Sequence, residues 1–161
     1  MSEADQPVGV RLSVLDRKQA DRDTPLDSDP SVRRWIARAE RASAIRLALD
    51  HDGTRIYIAP RGDDAFTVLT RASDGSGASS LHPRWVLQRQ GAAISVGSSP
   101  RRSGFTVRGI VPDLVTAVHV DEHAAVLSNN AFVVDVPSFP ATVVLRTQMG
   151  ERRVALANLL M

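Results

Sequence analysis

The stretch GIVPDLVTAVHV, residues 109–120, places Pro112 and Asp113 between two runs of β-branched and apolar residues that both favour strand. A tight two-residue hairpin needs a positive φ at its first central residue, and a proline held near −65° cannot supply one. Pro-Asp instead suits a type I turn, whose twist splays the flanking strands. The strand ending at Val111 and the strand starting at Val115 are therefore expected to avoid each other, with the chain changing sheet at a corner between them. That corner sets the expected fold of the second half.

Outward from it, apolar runs at Phe105–Val111, Val115–Val120, Ala124–Leu127, Phe132–Val136, Thr142–Thr147 and Arg153–Ala157 alternate with SNN, PSFP, QMGE and similar breaks. Short strands separated by frequent turns predict a β-sandwich, Ig-like in character. Upstream, AIRLALDHDGTRIYIAP alternates apolar and polar residues on both sides of Asp52-Gly53, which predicts a hairpin with Gly53 at its turn, and DAFTVLTR adds a third strand. SDGSGASS reads as a flexible connector, and HPRWVLQRQG as a short helical turn closed by Gly91.

The strongest helical signal is SDPSVRRWIARAERA. Asp29 is placed to cap, Pro30 fits the first helical position, and Val32, Trp35, Ile36 and Ala39 recur at helical spacing, which predicts a helix over 30–42. Residues 1–29 carry seven acidic against four basic side chains and read as an acidic, partly flexible arm. Within it Val10, Leu12 and Val14 alternate well enough to dock as an edge strand or lie on the core. The expected architecture is α+β to mainly β. An arm (1–29) precedes one globular domain (30–161), in which a helix on a small antiparallel sheet (30–98) leads into an antiparallel sandwich (99–161).

Composition bounds the function. A chain of 161 residues that is 43% hydrophobic can bury one real core, and with 4% aromatics that core is aliphatic. The pI of 9.9 accompanies a net charge of only +2. The reason is that Lys18 is the only lysine and Tyr57 the only tyrosine, so few groups titrate above pH 7. High pI is thus weak evidence for nucleic acid. With no cysteine, disulfides, thiolate nucleophiles and cysteine metal sites are excluded. No signal peptide or membrane-length apolar run is apparent, so the expected location is cytoplasmic.

The succession LSVLDRKQADRDTP, RIYIAP, GIVPDLVTAVHV and NNAFVVDVP resembles a family of uncharacterised proteins from high-GC actinobacteria, over residues 10–137. The family's turn usually reads Val-Pro-Asp-Gly, and a cysteine pair brackets the region of Phe66–Leu81. This chain departs twice, with Leu114 in the glycine position and no cysteine. The resemblance implies a β-rich fold, an envelope-associated location as the alternative if an anchor lies outside these residues, and no particular activity.

No motif carries catalysis: there is no Gly-Lys-Ser/Thr phosphate loop, no G-x-S-x-G and no paired carboxylates at suggestive spacing. Arg61-Gly62-Asp63 reads as a polar turn. His119 and His123, with Asp121 and Glu122 between them, are the densest set of metal-ligand types, but their strand context favours a solvated hairpin end, and no metal or cofactor is expected. Arg34, Arg38 and Arg41 are expected to share the helix face opposite Trp35, a possible partner or phosphate contact that the upstream Asp21, Asp23, Asp27 and Asp29 would neutralise. Pro112, Asp113 and Asn130 are expected to be structural turn residues. By elimination the chain reads as a non-catalytic protein-interaction or ligand-binding β module. A nucleic-acid or regulatory module using the Arg-rich helix and an enzyme of unrecognised chemistry are the alternatives.

Overall fold

The computed structural model describes residues 11–25, 29–39, 41–99 and 103–156. The chain divides into two units, one spanning Ser13–Arg84, the other formed by the chain up to Leu12 with the chain from Trp85 on. This differs from the expected arm followed by one domain: residues from Ser13 on belong with the first sheet, and the break falls between Arg84 and Trp85.

In the Ser13–Arg84 unit, β1 (Arg46–His51), β2 (Thr54–Arg61), β3 (Ala65–Arg71) and β4 (Gly77–Pro83) form one antiparallel meander in the order β1-β2-β3-β4. The β1–β2 turn has Asp52 at φ 49° and Gly53 at φ 82°, the two positive values that a type I′ turn requires. The expected hairpin is thus present, with Gly53 where the sequence placed it. Helix α1 (Pro30–Arg38) is capped by the Asp29 carboxylate, which accepts from the Ser31 amide at 2.8 Å. It buries Val32 and Trp35 in a cluster with Leu47, Tyr57, Ala59 and Leu69.

Two expectations about this unit are corrected. The helix ends at Arg38 rather than Ala42, because Ala39 turns extended (φ −64°, ψ 134°) and is itself buried in that cluster. Ala and Arg are good helix formers, so tertiary packing overrides propensity. The supposed connector SDGSGASS supplies a tight turn and then strand β4, which pairs with β3 from Arg71↔Gly77 to Ala65↔Pro83. Its Gly and Ser residues are tolerated because β4 is an edge strand with Gly77 to Leu81 exposed, where backbone pairing decides the conformation.

Residues 11–25 of the arm carry local structure of their own. Ser13–Leu15 and Asp21–Asp23 form 3-10 turns, so Val14 lies buried without joining a strand. Asp23 is fully buried and accepts from both terminal nitrogens of Arg17 (2.8 and 2.5 Å), the Ala20 amide (2.6 Å) and the Leu47 amide of β1 (2.8 Å). Val10 and Asp27 lie outside the described residues.

The other unit opens with α2 (Trp85–Arg89) and continues as β5 (Ala93–Ser98), β6 (Phe105–Ile110), β7 (Val115–Val120), β8 (His123–Ala124), β9 (Val126–Ser128), β10 (Ala131–Val136), β11 (Thr142–Thr147) and β12 (Gly150–Ala155). These make two four-stranded antiparallel sheets, β5-β6-β10-β9 and β12-β11-β7-β8. Their inner faces share one core containing Val107, Val118, Val120, Phe132, Val143 and Leu145. The fold is mainly β with a small helical part, as the periodicities implied. The sandwich begins at β5 rather than at residue 99, because β5 pairs with β6 along its whole length.

β6 and β7 lie in different sheets, so the chain does turn a corner at Pro112. The detail differs from expectation: the Val115 amide bonds to the Pro112 carbonyl at 3.1 Å, which makes Pro112 the first residue of the turn rather than its second. Asn130 (φ 75°), in the β9–β10 turn beside Asn129 (φ 48°), fastens the corner. Its side-chain amide donates to the Val111 carbonyl (3.0 Å) and to Asp113 (2.8 Å).

Candidate functional site

On the outer face of the β12-β11-β7-β8 sheet the register assembles a charged concavity. His119 on β7 pairs with Val144 on β11, and Val144 pairs with Arg153 on β12, so the three stand in one row. The next row on this face holds Arg146 and Glu151, a cross-strand pair joined at 2.8 Å. Val144 is 8% exposed although it lies on the outer side, so the polar residues around it form a rim over an apolar floor. Together with Asp121 and Glu122 they line a concavity of about 370 Å³.

The electrostatics are mixed. The Arg146 hydrogen bond and charge, with Arg153 and His119 adding to the field, hold the Glu151 carboxyl below the usual range. Asp121, at φ 51° in the β7–β8 turn, spends its carboxylate on the chain itself: it accepts from the amides of Ala141 (3.1 Å) and Thr142 (3.0 Å). It is a clamp between the hairpin end and β11, leaving His119, Arg146, Glu151 and Arg153 as the side chains that face outward around Val144.

His119 and His123 are not brought together. His123 pairs with Val120, whose side chain is in the core, whereas His119 is the neighbour of Val120 and takes the opposite face. Among the described residues no group of three or more His, Cys, Asp or Glu is placed to hold a metal ion.

Arg34 and Arg38 lie four apart on α1 and are exposed, but Arg41 falls beyond the end of the helix, so the expected three-arginine stripe is shortened to two. Two of the acids expected to neutralise it are engaged elsewhere: Asp23 with Arg17, and Asp29 with Ser31 and, at 3.1 Å, Arg71. Among the described residues no ion pair joins Arg34, Arg38 or Arg41 to an acid.

A serine–histidine contact escaped the sequence reading. Ser80 Oγ and His82 Nε2 on β4 lie 2.8 Å apart, and burial lowers the pKa of His82, whose ring stacks on Phe66 at 5.5 Å. Once GASSLHP is a strand, the spacing of two places both side chains on one face. No carboxylate among the described residues orients the imidazole, so the pair lacks the third member of a triad.

Among the described residues no helix is long and apolar enough to cross a membrane. No protein-family model, no curated protein and no solved structure matches the chain.

Proposed function

We propose that this chain is a non-catalytic binding module of immunoglobulin-like build, which takes a protein partner on the outer face of the β12-β11-β7-β8 sheet. The strand orders β5-β6-β10-β9 and β12-β11-β7-β8 correspond to the A-B-E-D and G-F-C orders of immunoglobulin sandwiches, with β8 as the added strand. The observation that carries the reading is the rim of His119, Arg146, Glu151 and Arg153 around the apolar Val144. A central apolar point ringed by both signs of charge suits a protein surface of complementary mixed charge, with arginine as the anchoring side chain. A photo-crosslinking residue at position 153 is expected to capture a partner in the native host, and the same residue at position 34 is not. Capture from 34 alone would defeat the assignment of this face.

That Arg34 and Arg38 have no ion-pair partner among the described residues favours a second reading, a nucleic-acid contact on α1. Phosphate-driven affinity is strongest at low salt, so no binding of DNA or RNA at about 50 mM salt discards it.

A further inference from the structure

The Ser13–Arg84 unit holds a second concavity, independent of the sheet face above. Asp50 pairs with Arg55 across β1 and β2, and Arg55 pairs with Arg71 across β2 and β3, which puts all three in one row on one face. Tyr57, two residues on from Arg55, shares that face and joins the apolar cluster beneath α1. The helix runs away from this row: its capping residue Asp29 is bonded to Arg71, while the carbonyl of its last residue, Arg38, accepts from Arg61 at the far end of β2. The positive end of the α1 dipole therefore lies at the arginine row. Asp50, Arg55, Tyr57, Arg71 and Ser73 line a concavity of about 390 Å³ there.

Two guanidinium groups directly opposite each other on a sheet face repel, and the unit tolerates them because each has an acidic neighbour. The neighbours are unequal. Asp29 holds Arg71 at 3.1 Å with both side chains largely covered, whereas Arg55 and Asp50 meet at 3.4 Å with about half of each side chain exposed (50% and 49%). An incoming anion can displace Asp50 from Arg55 at little cost, because an exposed pair of that kind contributes little. A carboxylate is satisfied by one guanidinium fork, while a phosphate dianion has the oxygens and the charge to bridge two.

We propose that the concavity at the N-terminal end of α1 binds a phosphate group, free or as a small monoester, bridged by Arg55 and Arg71 with Asp50 turned out to solvent. The test is a two-dimensional amide NMR titration of the full chain with inorganic phosphate at constant ionic strength. Saturable shifts are expected at Gly53, Arg55, Arg71 and Ser73. Arg55→Gln, an exposed and conservative change, weakens binding about tenfold. Asp50→Asn removes the competing carboxylate and tightens binding, a gain that damage to the fold does not produce. A parallel titration with phenyl phosphate separates the sources, a tighter fit than inorganic phosphate assigning the site to monoesters and an equal or weaker one to free phosphate. Shifts that never saturate, affinity unchanged by Arg55→Gln, or weaker binding by Asp50→Asn would overturn the proposal. The sheet-face reading stands or falls separately, since none of these residues belongs to it.

Discussion

The two units close their sheets against water with different chemistry. In the Ser13–Arg84 unit the segment ahead of the helix is fastened by charge: Asp23, fully buried, gathers Arg17 and two backbone amides, and Arg17 in turn donates to the Leu47 carbonyl of β1 at 2.9 Å. In the sandwich the corner at Pro112 is fastened by a side-chain amide and by close packing rather than by an ion pair. Asn130 ties the corner, and the Phe132 ring lies against Gly109 where no side chain stands. A charged clamp is strong while complete, costly when one partner is lost, and sensitive to acid. A clamp without an ion pair fails by sterics or by a lost hydrogen bond.

The largest effect expected from this contrast is that of Asp23→Ala. It leaves the Arg17 guanidinium and the amides of Ala20 and Leu47 without their acceptor, a loss of about 3–5 kcal/mol. Hydrogen exchange is the measurement, and protection is expected to fall first in β1–β4. Equal loss in β5–β12 would break the contrast. Next is Gly109→Ala. A Cβ there would stand 2.6 Å from both the Ala93 carbonyl oxygen and the Phe132 ring, and neither can yield without moving a strand or the centre of the core. Overpacking of this kind costs about 3 kcal/mol, read in denaturant unfolding, with the first losses in β5, β6 and β10.

Acid separates the two fastenings without mutation. Burial alone would raise the pKa of Asp23, but the hydrogen bonds from Arg17, Ala20 and Leu47 outweigh it and hold the group at about 2 against an ordinary 3.8. A depressed carboxylate contributes stability that is complete above the unfolded value and lost as pH falls through the folded one. The window is therefore pH 3.8 down to about 2, and the contribution is about 2 kcal/mol. Acid titration followed by NMR should show β1–β4 losing stability across that window, and Asp23→Asn should flatten the dependence.

How much of this was legible in the sequence follows from what kind of force set each feature. Strand periodicity survived folding where burial follows it, as on β7, where buried Val118 and Val120 flank the half-buried His119. The Pro112 corner was readable because proline restricts φ whatever surrounds it. The β4 strand was not, because GASSLHP acquires its conformation from pairing with β3, a partner no local pattern announces. The same limit hid both concavities. Arg146 and Glu151 meet only through the β11–β12 register, and Arg55 and Arg71 only through β2–β3. Asp23 reads as one more acid in a charged arm, since burial of a carboxylate depends on a set of donors assembled from Arg17 and β1, 24 residues away at Leu47.

The smallest expected effect sharpens the sandwich side of the comparison. Asn130 has two separable roles: it adopts φ 75°, and it donates to Val111 and Asp113. Asn130→Gly keeps the first and removes the second, so it should cost about 1 kcal/mol, the net worth of an ordinary hydrogen-bonded amide. Asn130→Ala removes the bonds and also forces a Cβ into the left-handed region, adding about 1 kcal/mol. Thermal unfolding of the pair should place glycine between the wild type and alanine. If alanine equals glycine, the backbone conformation is not what Asn130 secures. If glycine equals wild type, the corner at Pro112 is held by chain stiffness and apolar packing, and the sandwich needs no polar fastening there.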